Sequence, residues 1–366
     1  MATIHVHGKL PDPFLKADGT RMTPEEWWAN RDAIRDRVVT TEFGGMPPRP
    51  EVVTVEALND GALQMCYRVH AGSRERQLSF VLSVGRAPSM SIEGDRKYPV
   101  LLTGDGCYNN CESDTITEAN RRGYVVARIN RLEMAYDRKT PREGGIYDIY
   151  PENKDFTAIS AWAWGYIAAM DALSQLPYID MNEIGITGHS RGGKTVLLTS
   201  VMDERVKYVC PNNSGTHGCA VYRYELTDTE HSPHRTETLA DMFKNFPHWM
   251  SEGLRPYEND IDKLPYDMHF FGALIAPRYY LQCEGLDDDW INPWGSRQTY
   301  LAVKACHEYL GCEGTVGAWF RPGGHRHKKP DFEQFLDFMD NARKGLAPLP
   351  EHSTDPYPEQ ELIFDF

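Results

Sequence analysis

Apolar positions along this chain fall into short compact runs and longer one-sided stripes, and the two kinds alternate. "RQLSFVLSV", with its core at 77–84, "YPVLLTGDG" (98–106) and "GYVVARI" (123–129) are aliphatic or β-branched runs closed by turn residues, and each predicts a strand. "EIGITGH" (183–189), "VKYVCPNNSG" (206–215), "PRYYLQCEG" (277–285) and "VGAWFRPGG" (316–324) repeat the pattern. Helical patterns lie between them. "MTPEEWWANRDAIRDRV" (22–38) opens with Thr23 as a cap, Pro24 in the first turn and Glu26 placed to close a capping box. "AISAWAWGYIAAMDALSQL" (158–176) is apolar nearly all round, which predicts a buried helix. "DFEQFLDFMDNARKG" (331–345) sets Phe332, Phe335, Leu336 and Met339 on one stripe. Strands alternating with helices predict an α/β fold, a mostly parallel sheet covered on both faces.

Composition narrows the function more than the fold. The 366 residues are long for one core and short for two full domains, so we expect one domain over 1–366, with an N-terminal extension of about 70 residues packed on it. Apolar residues make up 41% and aromatics 11%, enough for a sizeable core. The formal net charge of -14 argues against a nucleic-acid partner. An acidic ligand would be repelled at long range and would need a local cationic pocket. There is no 18-residue apolar run, so no membrane partner is expected. "MATIHVHGKLPDPFLKADGT" holds no apolar export core; the chain as it stands is expected in the cytoplasm, or in the periplasm or outside if an export segment was removed. The eight cysteines are scattered and read as buried free thiols, with pairing or metal binding by Cys107 and Cys111 as the alternative. His5, His7, His217, His231 and His234 match no zinc spacing, so no metal is expected.

The sharpest chemical signal is "GITGHSRGGK" (185–194). Gly188-His189-Ser190-Arg191-Gly192 is G-x-S-x-G, the nucleophile elbow of α/β-hydrolases. Such a pattern also arises in ordinary glycine-rich turns. Here it follows a predicted strand and precedes the helix-compatible "KTVLLTSVMD", the setting an elbow requires. In this fold the acid and base follow the serine, in that order, at the ends of later strands. "PRYYLQC" runs into "EGLDDDWINP", offering Asp287, Asp288 and Asp289; spacing alone does not choose among them. "VGAWF" runs into "RPGGHRHKKP", offering His325 and His327, and His325 lies closer to the strand end. Backbone N–H groups of Arg191 and of Gly104 in the "TGDG" turn are the candidate oxyanion donors. This chemistry needs no metal or organic cofactor.

"LPDPFLKADG", "AWAWG", "GITGHSRGGK", "NNSG", "FPHW", "LPYDMHFFGALIAPR", "DDDWINPWG" and "RPGGH" together resemble the glucuronoyl esterases of carbohydrate esterase family 15, bacterial members more than fungal ones. The resemblance runs in order over nearly the whole chain. It implies an α/β-hydrolase fold and a serine esterase acting on a small-molecule or oligosaccharide uronate ester. It assigns Ser190 as nucleophile, Arg191 to the oxyanion site, Lys194 to sugar hydroxyls, Glu237 to substrate binding and His325 as base. The family's D-x-W pattern selects Asp288 as the acid and places Trp290 along the sugar site. Two departures stand out. Many members have a catalytic Glu where this chain has Asn213, and "THGCAVYRYE" replaces a Gly-Ala-rich segment, which makes His217 a further candidate for substrate contact. Another carbohydrate esterase, such as an acetylxylan esterase, and a catalytically silent carbohydrate-binding homologue are the competing readings.

Overall fold

The computed structural model describes residues 3–59, 63–139, 142–227 and 235–366. In chain order it runs β1 (Thr3–Val6), α1 (Pro24–Phe43), β2 (Val52–Ala57), β3 (Gln64–Gly72), β4 (Gln77–Gly85), β5 (Tyr98–Thr103), α2 (Ser113–Arg121), β6 (Val125–Arg128), α3 (Ile146–Ile149) and α4 (Ala158–Leu173). It continues with β7 (Ile179–His189), α5 (Arg191–Met202), β8 (Val206–Asn212), β9 (Tyr224–Thr227), α6 (Leu239–Asn245), α7 (His269–Ile275), β10 (Tyr279–Gly285), α8 (Pro293–Tyr309), β11 (Val316–Arg321) and α9 (Lys329–Arg343). Nine strands form one sheet in the order β11-β10-β8-β7-β5-β6-β4-β3-β2. The six from β11 to β6 are parallel, and β4, β3 and β2 continue antiparallel. The mostly parallel sheet is the one expected from the alternating pattern, and the whole is the α/β-hydrolase architecture that the elbow motif and the family resemblance implied.

The burial of each strand follows its pairing. β5, inside the parallel block, is buried at every position because helices cover both faces. In β3 and β4 buried residues largely alternate with exposed or half-exposed ones, since one face of the antiparallel edge meets water. The expected N-terminal extension is therefore shorter than about 70 residues. From residue 52 the chain belongs to the central sheet, because β2 pairs with β3 and β3 with β4, and the period-2 pattern of β3 buries one face while α4 packs near both strands.

The capping box on α1 forms as read: the Thr23 hydroxyl accepts the Glu26 N–H and the Glu26 carboxylate accepts the Thr23 N–H. Every residue of α4 except Asp171 is buried. Its two tryptophans satisfy their indoles internally, Trp162 on the Ala135 carbonyl (2.9 Å) and Trp164 on that of Pro48 (2.8 Å). Phe332, Phe335, Leu336 and Met339 of α9 are buried under the sheet. All eight cysteines are free, Cys107 and Cys111 included. Among the described residues no three His, Cys, Asp or Glu side chains cluster as a metal site, and no helix is long and apolar enough to cross a membrane. His231 and His234 lie outside the described residues.

Candidate active site

The C-terminal ends of β5, β7, β8, β10 and β11 meet at one edge of the sheet. β7 stops at His189, and α5 starts at Arg191. Ser190 between them has φ 57° and ψ -120°, a conformation that a residue with a side chain adopts only when its surroundings impose it. Several contacts do so. The Ser190 N–H donates to the Asn212 carbonyl (2.8 Å) and the His189 N–H to the Asp105 carboxylate (2.7 Å). A side chain at Gly192 would overlap that carboxylate, and one at Gly188 would overlap the Gly192 carbonyl. Asp105 is itself paired with the fully buried Arg131. Strand, serine and helix are thus gripped from the β5 turn, which is why the glycines of the motif are needed.

Geometry separates the candidates for acid and base. His325 Nδ1 lies 2.6 Å from Asp288 Oδ2, and Asp288 is buried. Asp287 instead accepts the Gly323 N–H (2.6 Å), and Asp289 opens the turn Asp289–Ile291. His327 is buried with its ring stacked on Phe332 at 4.0 Å between centroids, and burial pushes its pKa well below the usual range. Asn213 is no bystander: its amide N–H donates to the same Asp288 Oδ2 (2.9 Å) and its oxygen accepts from Arg321 (3.2 Å). His189 packs its ring 4.3 Å from that of His325 and bonds Asn212 through Nδ1 (2.8 Å). Burial, with the charge of His325 next, lowers the His189 pKa to about 4. A neutral ring there does not oppose an imidazolium at His325.

Ser190, Asp288 and His325 line a cavity of about 320 Å3 together with Arg191, Lys194, Ser214, Glu237, Phe246, Trp249, Trp290 and Ile291. No hydrogen bond joins Ser190 to His325 among the described residues; such contacts tighten when substrate binds. Lys194 is buried at the floor, its ammonium donating to the carbonyls of Ser214 (2.5 Å) and Thr216. Burial lowers its pKa to about 8, against the pull of Glu237. Burial raises that of Glu237, against Lys194. Trp290 stays 41% exposed at the rim, a flat apolar face open to a ligand.

The oxyanion side differs from expectation. The Arg191 N–H belongs to the first turn of α5, where backbone donors lack intrahelical acceptors and the helix end is positive. Gly104 does not supply the second donor. Its N–H is taken by the Tyr166 hydroxyl (2.5 Å), which α4 inserts behind the turn, and Gly104 does not line the cavity. The Arg191 guanidinium lies 4.8 Å from the Trp249 ring and donates to Asp137 (2.5 Å). Asp137 also accepts from Trp249 Nε1 (2.9 Å) and bonds His248 Nε2 (2.8 Å). Burial opposes its ionisation, yet these bonds hold its pKa down to about 2. Nothing in "AYDRK" marks Asp137 beforehand, because its partners come from distant segments.

His217 is also corrected. It is fully buried, bonded to Glu42 (2.6 Å) and Tyr222 (2.9 Å), and does not line the cavity. Its side chain turns toward helix α1, away from the ligand space.

The sequence profile of fungal glucuronyl esterases matches residues 69–311. This chain belongs to the glucuronyl esterase family. A 4-O-methyl-glucuronoyl methylesterase of Schizophyllum commune is 30% identical over 307 residues, which cover 82% of this chain and 73% of the relative. One from Wolfiporia cocos is also 30% identical, over 82% of this chain and 71% of the relative. Among solved structures, a carbohydrate esterase family 15 glucuronoyl esterase from Caldicellulosiruptor kristjansonii superposes with a TM-score of 0.82 at 28% identity, covering 98% of both chains. The family's relatives are carboxylic ester hydrolases, and so is this enzyme.

Proposed function

We propose that the enzyme hydrolyses alcohol esters of 4-O-methylglucuronic acid through an acyl-enzyme on Ser190. The observation that bears most weight is the single cavity in which Ser190, the bonded pair His325–Asp288 and the cation Lys194 meet. In this reading His325 Nε2 takes the Ser190 proton as Oγ attacks the ester carbonyl, and the developing oxyanion meets the Arg191 N–H and guanidinium. Oxyanion donors of this kind are worth about 3 to 4 kcal/mol each. Asp288 holds Nδ1–H on the far side of the ring and stabilises the imidazolium. His325 then protonates the leaving alcohol, and water repeats the sequence on the acyl-enzyme. Lys194, Glu237 and Trp290 hold the sugar, two as hydrogen-bonding groups and one as a stacking face. A relative supports the choice of substrate: a serine-to-alanine variant of a glucuronoyl esterase from Sporotrichum thermophile was solved in complex with methyl 4-O-methyl-β-D-glucopyranuronate.

The test is a panel of methyl and benzyl glucuronate esters beside acetylated xylo-oligosaccharides. We expect turnover of the uronate esters and little of the acetates. Preferential deacetylation would move the enzyme to another carbohydrate esterase activity, and inertness toward both panel and fluorophosphonate probe would mark a silent homologue.

A further inference from the structure

The short loop after β8 does two things at once. The carbonyls of Ser214 and Thr216 hold the Lys194 ammonium, and the Thr216 hydroxyl donates to the Glu237 carbonyl (2.6 Å). Both side chains read as sugar-holding groups therefore depend on one bend. At that bend His217 has φ 64°, the left-handed region that disfavours residues bearing a Cβ. Its ring passes out of the back of the loop into a buried site made by another part of the chain. There Nδ1 meets Glu42, on the last turn of α1, while Glu42 also accepts the hydroxyls of Tyr222 (2.6 Å) and Tyr266 (2.6 Å). Phe43 covers the ring at 4.6 Å.

We propose that Glu42 and His217 form a positioning pair that locks the 214–217 bend, so that helix α1 sets the placement of Lys194 and Glu237 for the sugar. His217 is not a catalytic residue; it acts through the carbonyls that hold Lys194. A residue at positive φ stays there only when something offsets the backbone cost, and the Glu42 bond supplies that. Released, the bend relaxes toward ordinary φ values and the carbonyls of Ser214 and Thr216 part from Lys194. The uncompensated ammonium is then free to turn out of the sugar site. Ser190, His325 and Asp288 follow β7, β11 and β10, and the loop reaches them through Asn213, ahead of the 214–217 bend.

This inference rests on Lys194 and Glu237 binding the sugar, and the experiment separates the two ideas. His217→Leu removes the bond to Glu42, Glu42→Gln weakens it without changing shape, and His217→Asn restores both tolerance of positive φ and an N–H donor. Each is assayed on methyl 4-O-methylglucuronate and on 4-nitrophenyl acetate, which is too small to need the sugar-holding groups. We expect His217→Leu to raise KM for the uronate ester about tenfold or more, with kcat/KM on the acetate within about twofold, as for loss of uniform binding. Glu42→Gln should move KM the same way by less, and His217→Asn should recover most of the loss. If His217→Leu does not fold, Glu42→Gln carries the test. Unchanged KM in the folded variants overturns the proposal, as does an equal loss on both substrates. A wild type that cleaves the acetate but no uronate ester removes the parent reading as well.

Discussion

Replacing Asp288 by Asn tests the acid most directly, because the structure says what the change would leave behind. Two donors converge on Asp288 Oδ2: His325 Nδ1 at 2.6 Å and Asn213 Nδ2 at 2.9 Å. An amide at 288 is expected to turn its oxygen to both, so the His325 tautomer survives and the loss is mainly of charge. A carboxylate about 4 Å from the centre of an imidazolium is worth on the order of 4 kcal/mol at an effective dielectric of 20. At 1.36 kcal/mol per tenfold, kcat should fall about 10³-fold. Asp287→Asn and Asp289→Asn should each cost less than about tenfold, since it is the Asp288 carboxylate that meets His325. Asn213→Glu sharpens the test. In the wild-type background it sets two carboxylates about 3 Å apart, a repulsion of roughly 5 kcal/mol that forces a proton onto one of them and lowers activity at neutral pH. Combined with Asp288→Asn it inverts the pair, and the introduced glutamate is one methylene longer than the asparagine it replaces. That double variant should recover at least about tenfold over Asp288→Asn alone. The assay is kcat on one methyl uronate ester for all variants at fixed pH. If Asp288→Asn stays within about threefold of wild type, the carboxylate is not the partner of His325 and the reasoning fails.

Three further outcomes follow from the same geometry. Ser190→Ala should lose at least about 10³ in kcat, while Ser190→Gly should be equally inactive but more stable than Ser190→Ala by about 1 kcal/mol, read as a rise in Tm, because only glycine accepts that backbone without strain. His325→Ala should be inactive with little change in stability; His327→Ala, which empties a core position stacked on Phe332, should cost about 2 kcal/mol or more by urea unfolding and still turn over where folded. Lys194 has its pKa lowered to about 8. It is charged below that pH and loses its proton above it, so KM for the uronate ester should rise as pH passes about 8, and a pH-independent KM in Lys194→Met would tie the limb to this group. For stability the sign is opposite. A lysine whose folded pKa lies below its unfolded value destabilises the fold most at low pH, and that cost falls as pH rises from about 8 toward about 10.4.

Much of this site was legible in residues that act locally. The elbow depends on glycines flanking a serine between a run of period 2 and one of period 3.6, and those features lie within about a dozen residues. The order of acid and base along the chain follows from strands that end at one edge of a parallel sheet, so "LDDDW" and "GGHRH" could be placed there without coordinates. What stayed open was the choice among the three aspartates, while His325 was preferred to His327 only for lying nearer the strand end. Adjacent residues in a loop share composition and spacing, and only the direction of each side chain separates Asp288 from Asp287, or His325 from His327. The resemblance to glucuronoyl esterases named Asp288; the 2.6 Å bond to His325 is the independent reason.

The sequence by itself determined the α/β architecture, the position of the elbow and the chemical class of its partners, because periodicity and turn chemistry are properties of neighbouring residues. Tertiary structure alone decided the polar environment of the site. Gly104 was expected to face the oxyanion, yet Tyr166, 62 residues further on, takes its N–H from behind. His217 was expected to face the substrate, yet Glu42, 175 residues away, draws it the other way. Asp137 anchors Arg191 and Trp249 behind the cavity wall only because Arg191, His248 and Trp249 converge on it. A hydrogen-bonding group buried far from water takes whichever partner the packed helices bring within about 3 Å, and that choice is made by contacts between segments that no local pattern connects.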